Sequence, residues 1–134
     1  MFQLQVLLIY SNSFTGSFPD LYLPLLSRLN FGHNSFTGTL PSSLFELSSL
    51  EYLNATYNKL QGTIPAAIGN ISLLSMLILS KNNFNSSIPS EIALLNALFY
   101  LDLDANYLNS SIPDAIWSPS LQQLLIGSNM FTGN

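Results

Sequence analysis

Asparagine returns along this chain at Asn12, Asn34, Asn58, Asn82, Asn106 and Asn129, in steps of 22, 24, 24, 24 and 23 residues. Two residues after each stands Phe14, Phe36, Leu60, Phe84, Leu108 or Phe131. Four after come Gly16, Gly38, Gly62, Ser86, Ser110 and Gly133, and seven after come Pro19, Pro41, Pro65, Pro89 and Pro113. Upstream, leucine fills every place five before (Leu7, Leu29, Leu53, Leu77, Leu101, Leu124) and eight before (Leu4, Leu26, Leu50, Leu74, Leu98, Leu121). Three before are Ile9, Phe31, Ala55, Leu79, Leu103 and Ile126. So many coincident columns define a repeat, and self-similarity at a period of about 20–50 residues marks architectures built by stacking one unit on the next.

The chemistry of the columns says what one unit does. Leu53 and Ala55 alternate with open positions, as on a half-buried strand. Asn58 ends that strand. Its side chain offers both a donor and an acceptor, so stacked asparagines can bond the backbone of their own and the neighbouring coil. Buried backbone groups left unpaired cost about 1–3 kcal/mol each. Gly62 permits a tight turn. Pro65 fixes the entry to a return segment in which Ala66, Ala67 and Ile68 begin a short helical turn. Ile68, Ile71 and Leu74 then point inward. One coil has too little apolar surface to offset the entropy of ordering it, so neighbouring coils must share inner faces and ladder their strands. The pattern predicts a parallel sheet with one strand per repeat.

Composition removes several function classes. The chain has 134 residues, 48% hydrophobic and 7% charged, unlike a disordered segment. No apolar run reaches about 18 residues, so no membrane span is encoded. The apolar stretch Val6 to Tyr10 lacks a basic flank and a small-residue cleavage site, and it sits in phase with the repeat, so it reads as a strand. Net charge is -4, and Arg28, Lys59 and Lys81 are the only basic residues. No basic stripe is available to neutralise nucleic-acid phosphates. Without cysteine there is no disulfide or thiolate chemistry. His33 is the single histidine, and three strand spacings place it about 14 Å from Asp102 and Asp104. That separation forbids a Ser-His-Asp triad, and one histidine makes no transition-metal set. The expectation is a non-enzyme with no cofactor and no metal.

The columns resemble the plant-type leucine-rich repeat, L-x-x-L-x-L-x-x-N-x-L-x-G-x-I-P. Leu98-Phe99-Tyr100-Leu101-Asp102-Leu103-Asp104-Ala105-Asn106-Tyr107-Leu108-Asn109-Ser110-Ser111-Ile112-Pro113 matches it except at Ser110, where glycine is usual. The resemblance covers essentially the whole chain. It implies an α/β repeat fold: a right-handed solenoid with a concave parallel β-sheet, one strand per repeat, and loops or short 3-10 turns on the convex side. A second short strand is implied near the Gly-x-Ile-Pro segment. Residues 1–134 would form a single array of about six repeats. Family members usually carry paired-cysteine caps, so an array truncated at both ends is expected. The first repeat is two residues short near Leu21 to Leu25. The fifth is one short at Ser118-Pro119-Ser120, where a proline replaces an inward residue.

The resemblance further implies a protein or peptide recognition module, part of the extracellular region of a receptor-like protein or receptor-like kinase in signalling or defence. Partners would be a protein or peptide ligand and a co-receptor, but no nucleic acid. Localisation would be extracellular or at the cell surface, with any membrane anchor outside this chain. One alternative is a secreted inhibitor of a cell-wall polysaccharide hydrolase. An alternative of another class is a parallel β-helix enzyme that cleaves polysaccharide. Such an enzyme needs charged residues clustered across successive coils, and here Asp102 and Asp104 cluster in one coil.

Positions six, four, two and one before each asparagine should project from the concave face. Tyr10, Arg28, His33, Tyr52, Tyr57, Lys81, Tyr100, Asp102 and Asp104 are the candidate ligand-binding residues there, and Asn54 and Ser80 are among the other positions expected to project from that face. Tyrosine mixed with polar groups is what protein-binding surfaces favour. The aspartates are expected as solvated charges facing Lys81, and Trp117 as a packing residue on the return side. Four acceptor sequences for N-glycosylation occur: Asn54-Ala55-Thr56, Asn70-Ile71-Ser72, Asn85-Ser86-Ser87 and Asn109-Ser110-Ser111. Asn54 is the odd member, because it falls on the strand face.

Overall fold

The computed structural model describes residues 3–133. Eleven short strands follow in chain order: β1 (Val6–Leu8), β2 (Thr15–Ser17), β3 (Arg28–Asn30), β4 (Ser35–Gly38), β5 (Tyr52–Asn54), β6 (Lys59–Gly62), β7 (Met76–Ile78), β8 (Asn83–Ser86), β9 (Tyr100–Asp102), β10 (Tyr107–Leu108) and β11 (Gln123–Leu125). The odd-numbered strands form a six-stranded sheet in the order β1-β3-β5-β7-β9-β11, and the even-numbered ones a five-stranded sheet in the order β10-β8-β6-β4-β2. All pairings are parallel. Equivalent columns lie side by side, with Leu29 opposite Leu53, Leu53 opposite Leu77, and Leu77 opposite Leu101. The chain therefore advances by one strand spacing per repeat, and each coil meets only its neighbours.

Between the two sheets and the return segments lies one continuous apolar interior. Leu53, Ala55, Leu60, Ile68, Ile71, Leu74, Leu77, Leu79 and Phe84 are wholly buried. At its start, Phe18 stacks on Phe31 with ring centroids 3.9 Å apart, and Phe36 meets both rings edge-on. The return segments carry 3-10 turns at Ser42–Glu46, Ala66–Asn70, Ser90–Leu94 and Asp114–Ile116. Each follows an extended proline, whose fixed φ presets the turn.

The asparagines form the inner spine. Asn58 Nδ2 donates to Ala55 O and Thr56 O of its own coil and to Phe31 O of the coil before, while its Oδ1 accepts the Phe36 N–H at 2.9 Å. Asn82 and Asn106 repeat this pattern. The residue before each asparagine is left-handed: Ser11, His33, Tyr57, Lys81, Ala105 and Ser128 have φ between 49° and 58°. That conformation swings the asparagine inward, and it is held against a cost of about 1–2 kcal/mol per non-glycine residue.

Three sequence expectations need correction. Leu4 is 44% exposed, and Leu7, Ile9, Leu121, Leu124 and Ile126 are only partly buried, because an end coil has a neighbour on one side. At the short fifth repeat, Leu121 N–H bonds Ser118 O, as Leu50 bonds Leu47, Leu74 bonds Ile71 and Leu98 bonds Leu95. Ser118, not Pro119, therefore takes the inward place, and Pro119 faces water. A small cavity remains beside Leu95, Ile116 and Ser118. Trp117 is 66% exposed rather than packed. The turn there has only three residues, Ile116 takes its buried position, and the next side chain points away.

Candidate recognition surface

The first strand position of the long sheet presents Val6, Arg28, Tyr52, Met76, Tyr100 and Gln123 in one row across the coils. The Arg28 guanidinium lies 4.7 Å from the Tyr52 ring centroid. Such a pair is worth about 0.5–1 kcal/mol at an exposed site and fixes the orientation of both side chains. Tyr100 is half-buried on β9, and Tyr10 is exposed just after β1.

The next row, two residues on, serves the backbone first. Asn30, Asn54 and Asp102 each accept, on side-chain oxygen, the N–H two residues ahead: Gly32 at 3.0 Å, Thr56 at 2.9 Å and Asp104 at 3.1 Å. This is the self-capping for which Asn and Asp are suited at turns. Ser80 stands beside them at 5% exposure, not open as the alternation suggested. Its hydroxyl donates to Asp102 Oδ2 at 2.8 Å and shares a 2.9 Å contact with Thr56 Oγ1. Asp102 is thus bonded through both oxygens. Asp104 instead reaches over the next coil, where a Cβ at Gly127 would lie 2.6 Å from its Oδ1. The two aspartates occupy unlike environments and do not act as a pair.

His33, Tyr57 and Lys81 do not lie on the strands. They occupy the left-handed turn after each strand and make a second row, a ridge along one border of the sheet. His33 and Tyr57 stack with centroids 5.0 Å apart and planes 9° off parallel. Lys81 Nζ lies 5.3 Å from the Tyr57 centroid. Lys81 thus turns toward the coil before it, away from the coil that carries Asp102 and Asp104. The ridge crosses three successive coils, and Tyr57 at its centre is 54% exposed. Sequence columns named these residues but not their partners. A signal for the capping row was present, since Asn30, Asn54 and Asp102 share the position four before the ladder asparagine.

A family model described as leucine-rich repeat matches residues 25–47 and 49–71. Receptor-like protein 18 of Arabidopsis thaliana is 44% identical over 52 residues, which is 39% of this chain and 6% of that protein. The solved ectodomain of the Arabidopsis receptor kinase GASSHO1/SCHENGEN3, in complex with CASPARIAN STRIP INTEGRITY FACTOR 2, superposes with a TM-score of 0.89 at 36% identity over 92% of this chain. The Arabidopsis receptor kinase HAESA, in complex with the peptide hormone IDA and the co-receptor SERK1, gives 0.88 at 32% identity over 92%. The chain spans 15% and 21% of those two solved chains. Repeat columns, paired parallel sheets, asparagine spine and these likenesses agree: the fold is a leucine-rich-repeat solenoid similar to those of plant receptor ectodomains.

Proposed function

We propose that this chain is a non-catalytic recognition module whose concave sheet and bordering ridge bind a protein or peptide, within the extracellular part of a plant receptor-like protein or receptor kinase acting in signalling or defence. The observation that carries this reading is the aromatic and cationic row His33–Tyr57–Lys81, exposed beside the second cation–aromatic pair, Arg28 and Tyr52. These rings are prearranged by contacts within the chain, so little side-chain freedom is lost when a partner covers them. Exposed tyrosines of this kind anchor protein interfaces. Of the solved relatives named above, one holds CASPARIAN STRIP INTEGRITY FACTOR 2 and the other a peptide hormone and a co-receptor.

Titration calorimetry against secreted plant peptides, beginning with IDA, tests the reading. For any peptide that binds, Tyr57→Ala is expected to weaken affinity at least tenfold, or about 1.4 kcal/mol. Tyr107→Ala changes an equally exposed tyrosine on β10, in the short sheet, and should leave affinity unchanged. Equal effects of the two substitutions, or hydrolysis of a polysaccharide by the chain, would overturn it.

A further inference from the structure

We propose that Asn70, Asn85 and Asn109 carry N-linked glycans, and that Asn54, despite the same acceptor sequence, carries none. The proposal rests on the extracellular reading above, and it assigns the glycans to one flank and the convex side.

Asn85 and Asn109 share an uncommon local device. The residue after each is a left-handed serine, Ser86 at φ 68° and Ser110 at φ 69°. Glycine holds the equivalent place at Gly38 and Gly62, with φ of 77° and 84°. Each serine hydroxyl donates back to the side-chain oxygen of its asparagine, Ser86 Oγ to Asn85 Oδ1 at 3.2 Å and Ser110 Oγ to Asn109 Oδ1 at 3.1 Å. The amide is thereby held through its oxygen, and neither Nδ2 meets a partner among the described residues. The hydroxyl residues that complete the triplets, Ser87 and Ser111, are exposed. The two sites sit in adjacent coils of the short sheet, where the Asn109 N–H bonds Ser86 O at 2.9 Å. Asn70 ends the convex turn Ala66–Asn70, and both it and Ser72 face water.

Asn54 is arranged in the opposite way. Its Oδ1 accepts the Thr56 N–H at 2.9 Å, and its Nδ2 donates to the Tyr52 hydroxyl at 3.2 Å. The side chain lies down over the neighbouring coil, where a Cβ at Gly32 would come within 3.2 Å of its Oδ1. The Thr56 hydroxyl is engaged with Ser80 Oγ at 2.9 Å and Ser80 O at 3.0 Å. Both groups the transfer needs are committed inside the folded sheet, and a glycan on Nδ2 would displace its bond to the Tyr52 hydroxyl and prevent this packing. In that transfer the asparagine Nδ2 forms a bond to C1 of an oligosaccharide carried on a lipid pyrophosphate. The bond from C1 to the pyrophosphate oxygen breaks, the lipid pyrophosphate leaves, and Nδ2 releases one proton. Glycans at Asn70, Asn85 and Asn109 leave the concave sheet and the His33–Tyr57–Lys81 ridge uncovered.

The full chain, secreted from plant cells behind a cleavable signal, is treated with peptide N-glycosidase in ¹⁸O water and mapped by mass spectrometry. Three tagged sites are expected, at Asn70, Asn85 and Asn109. Asn70→Gln, Asn85→Gln and Asn109→Gln should each remove one glycan from the intact mass, while Asn54→Gln leaves it unchanged. A tag at Asn54, or a bare asparagine at any of the other three, overturns the proposal. The site map on unaltered protein needs no variant to fold. Peptide binding by the enzymatically deglycosylated chain tests the recognition reading separately.

Discussion

At Asn82 one planar amide makes four hydrogen bonds, donating to Ala55 O, Leu79 O and Ser80 O and accepting the Leu60 N–H at 3.0 Å. Asn82→Ala removes all four at a buried position. Only the Leu60 N–H is orphaned, at about 1–3 kcal/mol, since Ala55 O, Leu79 O and Ser80 O keep donors in Asn58, Asn106 and Tyr57. With the three other lost bonds at about 0.5–1 kcal/mol each, the variant should lose about 3–5 kcal/mol in urea unfolding. Asn12 is exposed and makes two such bonds, to Ile9 O and Tyr10 O. Asn12→Ala should cost under about 1 kcal/mol, and equal losses at the two positions would show that the spine does not hold the fold. The spine was legible in the sequence because a buried turn restricts which side chain can satisfy it. The burial of Ser80 was not, since alternation along one strand says nothing of Thr56 and Asp102 closing over it from adjacent coils. The orientation of Lys81 was equally hidden. Its charge suggested the aspartates, but Tyr57 on the opposite side offers a flat ring within reach.

Each strand of the short sheet has a left-handed residue at or near its end. Gly62 has φ 84°, and a Cβ there would lie 2.9 Å from Thr39 Cγ2. Gly16 has φ 79° with nothing within 4 Å. Alanine at Gly16 therefore meets only the backbone penalty of about 1 kcal/mol, while at Gly62 a contact with the preceding coil adds to it, for about 2 kcal/mol in all. Thermal unfolding of Gly16→Ala and Gly62→Ala should rank them in that order, and the reverse ranking would refute the close approach of the coils. The 3-10 turns were readable because proline presets them. The exposure of Trp117 was not, because dropping one residue shifts the phase of a turn too short to show a period.

Each coil packs only on its neighbours, so stability should behave as a sum of coils and the junctions between them. Excising residues 59–82, one period of 24, joins Asn58 to Asn83 and restores every column. That chain should keep the circular dichroism of a parallel-sheet solenoid at a lower melting temperature. Excising residues 59–70 breaks the phase and should abolish cooperative melting. Similar melting of the two chains would contradict coupling through neighbours. The spine that runs through all coils also imposes a chemical condition invisible to size. Aspartate has the outline of asparagine but no N–H to give. At Asn58, Asn82 or Asn106 a carboxylate would aim its second oxygen at three carbonyl oxygens that Nδ2 now meets at 2.9–3.4 Å. Deamidation, the ordinary ageing of asparagine, would thus turn attraction into repulsion along the axis of the molecule while its contour stayed the same.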